Sequence, residues 1–225
     1  MPEMNNLQDY LKKLGASKVG YANVEGLASE FIDLPNGISL VLKLPKKAMY
    51  YIEEEDYQSY WKCFHSKIDE LTEISLKGEE YIKNLGYDAF ALTMQRNECD
   101  MKKLLSILPY KTIATKSGLG WIGRSALFVT PEYGSMVALG GILTNMPLEF
   151  GEPITDSQCD DCTNCQDACP VKAINPQKWN DRLNREDIID IEACKEYVID
   201  QYMNGLGCTK CMCECKLTQE YLKKE

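Results

Sequence analysis

CDDCTNCQDACP, residues 159–170, sets four cysteines (Cys159, Cys162, Cys165 and Cys169) directly before Pro170. The spacing C-x2-C-x2-C-x3-C-P is that of an iron–sulfur ligand run: two-residue spacers let three thiolates wrap one face of a cubane, and the helical turn that follows carries the fourth away to a second cluster. Such a run demands a reciprocal motif. Cys208, Cys211 and Cys215 supply it as C-x2-C-x3-C, and Cys194 adds one thiolate between the two. Eight ligands are thus available for two 4Fe-4S clusters, allocated as Cys159, Cys162, Cys165 and Cys215 for the first and Cys169, Cys194, Cys208 and Cys211 for the second. Zinc is the rival, because paired C-x2-C elements also build tetrahedral sites, but three thiols at this spacing followed by x3-C-P make a poor zinc pattern.

The rest of the chain fits that reading. Of 11 cysteines in 225 residues, nine lie between Cys159 and Cys215, leaving Cys63 and Cys99 as simple core residues and Cys213 as a spare thiol beside the ligands. With 44% hydrophobic and 26% charged residues the chain can bury a core. No apolar run approaches the roughly 18 residues of a membrane span, and the start, MPEMNNLQDYLKKLG, has no signal-peptide core. A cytoplasmic, reducing location is expected, where clustered thiols read as metal ligands rather than disulfides. The net charge of −9 repels anionic membranes and phosphate backbones, so neither a membrane nor tRNA is an expected partner.

Hydrophobic periodicity predicts a helix over 7–14, closed by Gly15, and half-buried strands over 18–24 and 38–44. One long helix is expected from about Glu53 to Leu85, ended by Gly86, with His65 on or near its surface. A strand over 87–93, a helical turn over 104–108 and a helix over 112–117 follow. Strands over 126–130 and 136–144 flank PEYGS as a hairpin. Strands and helices interleave to about residue 150, which predicts an α+β chain: a mixed-sheet α/β domain over 1–150, then a small cysteine-rich domain over 151–225. The tail holds too little aliphatic material for a core of its own and leans on bound metal and on the first domain.

Gly118-Leu-Gly-Trp-Ile-Gly123 matches G-x-G-x-x-G, but a helix precedes it and a strand follows, the reverse of the dinucleotide-binding order. Its glycines instead bring backbone close to another surface, either a ligand or the neighbouring module.

GLGWIGRSALFVTPEYGSMVALGGILTNMPLE (118–149), the two-cluster run, Cys194 within EACKEY and GC-x2-C-x3-C together resemble the epoxyqueuosine reductase family and its relatives, the corrinoid reductive dehalogenases. LGASKVGYANVEGL and LPNGISLVLKL extend the resemblance weakly to the N-terminus. It implies a nitroreductase-like first domain holding a cobalamin, and a ferredoxin-like second domain whose two 4Fe-4S clusters feed it electrons; it implies the same ligand allocation. The backbone around Gly118, Gly120, Gly123, Gly134, Gly140 and Gly141 is then expected to line the corrinoid pocket, with Trp121 as an apolar wall and Arg124 as a pocket residue. Plain turns and bulges are the competing use of these glycines. The family's tRNA-modifying members place a carboxylate shortly before this segment and carry helical repeats after the cluster domain. Residues 101–131 here contain neither Asp nor Glu, and the chain ends ten residues past Cys215, which again predicts no tRNA role. The expected function is a reductase passing electrons from a ferredoxin- or flavodoxin-like donor protein to a corrinoid or small-molecule substrate; the alternative is an electron carrier or activator without catalysis of its own.

Overall fold

The computed structural model describes residues 2–28, 32–100, 105–201 and 208–224. In chain order the elements are α1 (Pro2–Lys13), β1 (Lys18–Asn23), β2 (Asn36–Lys43), α2 (Lys47–Glu53), α3 (Tyr57–Asn84), β3 (Ala89–Leu92), α4 (Met94–Asn97), β4 (Glu98–Asp100), β5 (Leu105–Ser106), α5 (Tyr110–Lys116), β6 (Trp121–Ile122), β7 (Phe128–Val129) and β8 (Val137–Thr144). The cysteine-rich part adds α6 (Asn164–Ala168), α7 (Arg185–Ile188), α8 (Ile191–Gln201), α9 (Lys210–Cys213) and α10 (Lys216–Lys223). Two compact units result, neither continuous in sequence: Met1–Leu42 with Lys67–Leu119 and Ala138–Ile154, and Lys43–Ser66 with Gly120–Val137 and Thr155–Glu225.

The first unit is built on a four-stranded sheet in the order β1-β2-β8-β3, with β1 antiparallel to β2 and β3 antiparallel to β8. β2 and β8 are buried along nearly their whole length rather than on alternate residues. The reason is that helices cover both faces. Successive glycines of β8 show it: a Cβ on Gly140 would meet Leu71 of α3 at 3.2 Å, and one on Gly141 would meet Ile113 of α5 at 3.0 Å. Leu7 and Leu11 of α1 and Ile82 of α3 are fully buried, as is Ile113, each contributing about 2 kcal/mol of transfer free energy. Ala22, Val24, Leu92, Leu108 and Leu143 pack with Ile113 in one cluster.

In the second unit the tail is completed by segments distant in sequence. The hairpin β6–β7 pairs Trp121 with Val129 and Ile122 with Phe128. Ser135 donates its N–H to Thr218 Oγ1 of α10 at 3.1 Å, Tyr221 donates its hydroxyl to Leu44 O at 3.1 Å, and the Tyr60 hydroxyl reaches Met212 Sδ at 3.9 Å. Ala173, Ile174, Trp179, Ile188 and Ile189 form buried apolar material of the tail's own.

Several local expectations change. The long helix begins at Tyr57, because Asp56 caps it by accepting the Ser59 N–H at 3.0 Å, and the preceding residues form the separate α2. The turn expected over 104–108 is instead strand β5 at Leu105–Ser106, paired with β4; Leu104 lies outside the described residues. PEYGS does turn, with Thr130 and Gly134 exchanging backbone hydrogen bonds at 2.9 and 3.0 Å. Its flanks do not pair with each other: β7 pairs with β6, whereas β8 joins the four-stranded sheet. Cys63 is half-buried in α3 rather than a core residue, Cys99 falls in β4, and His65 is exposed.

Candidate metal centre

Most cysteines of the 159–215 region sit in or beside short helices, and Cys159 and Cys162 lie in the loop before α6. Cys165 is inside α6 and Cys169 caps its C-terminus; Cys194 is in the first turns of α8; Cys211 and Cys213 lie in α9; Cys215 caps the N-terminus of α10. α6 packs against α9, which brings the two motifs together. Six described non-glycine residues have positive φ, and five of them (Ala126, Asp160, Lys172, Cys208 and Thr209) lie beside these thiols or on the hairpin that faces them. Left-handed backbone costs about 1 kcal/mol or more per residue and persists where surrounding structure enforces it, commonly at functional sites.

Burial and mutual charge act on three of the expected ligand thiols. Burial pushes Cys165 up to about 11, and the next causes are the charges of Cys159, Cys215 and Cys162. Cys194 is raised by burial and then by Cys208 and Cys169. Cys211 is pushed up to about 12 by burial, then by Cys208, Cys165, Cys194 and Cys169. The causes on Cys165 come from the first expected set, those on Cys194 from the second, and those on Cys211 from the second together with Cys165, so the two expected sets lie within electrostatic reach of each other. Thiols raised this far become ligands only when a metal displaces the protons, so metal binding here would be coupled to proton release.

The first set opens on a cavity of about 440 Å³, lined by Cys159, Cys162, Cys165 and Cys215 together with Trp121 and Arg124. Trp121 donates Nε1–H to Cys159 Sγ at 3.4 Å, and in the second set the Ala173 N–H reaches Cys169 Sγ at 3.3 Å. Among the described residues no three His, Cys, Asp or Glu side chains converge as ligands of one metal ion. A zinc site needs such convergence on a single ion, whereas the thiolates of a 4Fe-4S cluster bind separate irons. Four thiols around a cavity, with N–H donors to sulfur, fit the cluster.

The glycines expected to line a corrinoid pocket do not fit that use. The space a Cβ would take is filled by protein: by Glu152 O at Gly118, Val129 O at Gly120, the Val129 side chain at Gly123, Thr218 N at Gly134, and Leu71 and Ile113 at Gly140 and Gly141. They permit close packing of backbone on backbone and helix on sheet. Of the expected pocket residues, only Gly123, Trp121 and Arg124 share the 440 Å³ cavity, and there they meet cysteines. Their neighbours Ser125, Asp160 and Lys216 were not singled out from sequence; no spacing signal marks them, because the cavity forms only when the β6–β7 hairpin folds onto residues 158–165.

The class that this chain resembles is that of redox enzymes, the epoxyqueuosine reductases and reductive dehalogenases. In particular, the chain is 34% identical to epoxyqueuosine reductase of Staphylococcus aureus over 115 residues, 48% of this chain and 29% of that protein. It shares its fold with an epoxyqueuosine reductase solved with an epoxyqueuosine-modified tRNA stem loop (TM-score 0.65, 18% identity, 96% of this chain and 65% of that one). It shares it also with a reductive dehalogenase described with a mechanism for B12-dependent dehalogenation (TM-score 0.73, 18% identity, 93% and 30%). The matched part thus spans under a third of the curated relative and of the dehalogenase. No protein-family model matches the chain. No helix among the described residues is long and apolar enough to cross a membrane.

Proposed function

We propose that this protein is an iron–sulfur oxidoreductase. Cys159, Cys162, Cys165 and Cys215 hold one 4Fe-4S cluster, and Cys169, Cys194, Cys208 and Cys211 hold a second within a ferredoxin-like region over 151–225. The clusters supply one-electron transfer, and the chain passes the electrons from a ferredoxin- or flavodoxin-like donor to a small-molecule acceptor in a nitroreductase-like domain over 1–150. The observation that carries this reading is the cavity lined by Cys159, Cys162, Cys165 and Cys215, beside which α6 of the first motif packs against α9 of the second. The likeness to epoxyqueuosine reductase and to reductive dehalogenases supports a redox role.

Anaerobically purified protein should contain about eight iron and eight sulfide per chain, two cubanes' worth. Zinc with little iron would overturn the assignment. A second reading, an electron carrier or activator without catalysis of its own, is favoured by one observation: the Cβ positions of Gly118, Gly120, Gly123, Gly134, Gly140 and Gly141 are filled by protein atoms rather than open to a ligand. Titration of the holo protein with cobalamin, followed by absorbance and gel filtration, separates the two. Co-elution at tens of micromolar supports the reductase with a corrinoid acceptor, and its absence with both clusters intact supports the carrier.

A further inference from the structure

Two side chains of the β6–β7 hairpin face the first thiol set, and their chemistry is aimed at it. Trp121, 3% exposed, gives its only polar hydrogen to Cys159 Sγ at 3.4 Å. Arg124, 7% exposed, lines the same cavity. Its guanidinium donates to the carbonyls of Pro176 at 2.9 Å and Asp160 at 3.0 Å, and its Nε is buried with no acceptor. None of the ion pairs among the described residues involves it; of the two carboxylates at the cavity, Asp160 and Asp161, the second pairs with Lys178 at 3.6 Å. A guanidinium stays protonated, and burying it is costly unless negative charge lies near. Carbonyl dipoles satisfy some of its hydrogens but do not neutralise it. Asp160 lines the cavity as well, and a cluster bound by Cys159, Cys162, Cys165 and Cys215 would add the negative charge of their thiolates.

We propose that Trp121 and Arg124 are positioning residues that raise the reduction potential of the centre held by Cys159, Cys162, Cys165 and Cys215. This rests on the iron–sulfur reading above. Adding one electron takes that centre, thiolates included, from a double to a triple negative charge, with no proton or bond exchanged. An N–H bonded to a ligand sulfur and a buried cation both favour the more negative form, and hydrogen bonds to sulfur and local charge are among the levers a protein has on such potentials. The hairpin is therefore part of the redox site, although it carries no ligand.

The test is an EPR-monitored redox titration of the anaerobic holo protein, dithionite supplying the electron, with iron and sulfide counted in every sample. In Trp121→Phe and in Arg124→Met one of the one-electron steps should move to more negative potential while the other stays. At the wild-type midpoint the reduced-to-oxidised ratio of that centre should fall about tenfold, a shift of about 59 mV. Arg124→Lys keeps the charge and should hold the wild-type potential. Steps that do not move in variants with full clusters overturn the proposal. So does an Arg124→Lys shift as large as that of Arg124→Met, or loss of the centre from Trp121→Phe, since either makes the role structural. If Arg124→Met does not fold, Trp121→Phe decides alone. A wild-type protein without iron would instead defeat the cluster reading.

Discussion

Glu79 of α3 is 7% exposed and ionised. Burial by itself would raise its carboxyl, but hydrogen bonds from Arg96, Lys83 and the Ala91 N–H overcome that and hold it at about 2, against an ordinary 4.5. The Arg96 Nη1 contact is 2.7 Å, and the Ala91 N–H contact, 2.9 Å, ties the helix to β3. Because the folded value is depressed, the stabilisation is fully present above about 4.5 and is lost as pH falls toward about 2. Glu79→Gln should therefore be about 2 kcal/mol less stable than wild type at pH 7, the scale of charge-assisted hydrogen bonds. In urea unfolding at stepped pH, the gap between the two should close through that window; a gap independent of pH would contradict it. Nothing in the sequence marked Glu79, one of several acidic residues on α3. Its role is set by Arg96 and Ala91, which reach it only in the folded chain.

At the scale of elements, periodicity and punctuation located α1, β1, β2 and the body of α3, because each is a local amphipathic pattern with a local stop. Gly15 and Gly86 stand at positive φ where two of these helices end. Pairing was not legible. The run 126–144 reads as a hairpin around PEYGS, yet the partner of Val129 is Trp121 and the partners of β8 are β2 and β3. The turn itself serves another purpose: it receives α10. A Cβ on Gly134 would lie 2.2 Å from Thr218 N, and Ser135 and Thr218 are hydrogen-bonded beside it. Gly134→Ala should destabilise by about 3 kcal/mol, overpacking added to left-handed strain. Gly26→Ala is the control. Its φ of +72° is equally left-handed, but nothing stands within 4 Å of the added carbon, so a cost of about 1 kcal/mol is expected. Thermal unfolding of the two variants measures the difference, and equal losses would show that α10 yields to the added methyl.

For the whole molecule, metal and fold are expected to stand or fall together. Thiols held protonated, at about 11 and 12, must give up their protons to bind iron, and the free energy of that binding would add to the folding of the region. Removing iron with a chelator under reducing conditions should lower the melting temperature and open the Cys159–Cys215 region to protease, while sheet signals of the first unit persist. Loss of iron with unchanged protease resistance would show that α6, α9 and α10 hold by packing alone. Charge bears on partners at the same scale. A net charge of −9 sets the expectation against the fold shared with an enzyme solved on a tRNA stem loop. Filter binding should find no salt-sensitive tRNA association at micromolar protein in physiological salt.

The sequence by itself determined where thiols stand at metal-ligand spacing. Two- and three-residue spacers fix how far one thiol lies from the next, so the iron–sulfur-type runs over 159–169 and 208–215 could be read locally. It also showed that Gly118–Gly123 follows a helix and leads into a strand, the reverse of the dinucleotide-binding order, and α5 does precede β6 there. Only the tertiary structure decided what the glycines are for and what surrounds the thiols. A glycine records that something comes close but not what, and here the neighbours are Glu152, Val129, Thr218 and Ile113 rather than a flat ligand. Likewise Trp121 and Arg124 stand 38 and 35 residues before Cys159, and no pattern links them to it. The link is made when the β6–β7 hairpin carries an indole N–H to a sulfur and a guanidinium into the same cavity, a contact that depends on chain reversal in three dimensions and leaves no periodic trace in one.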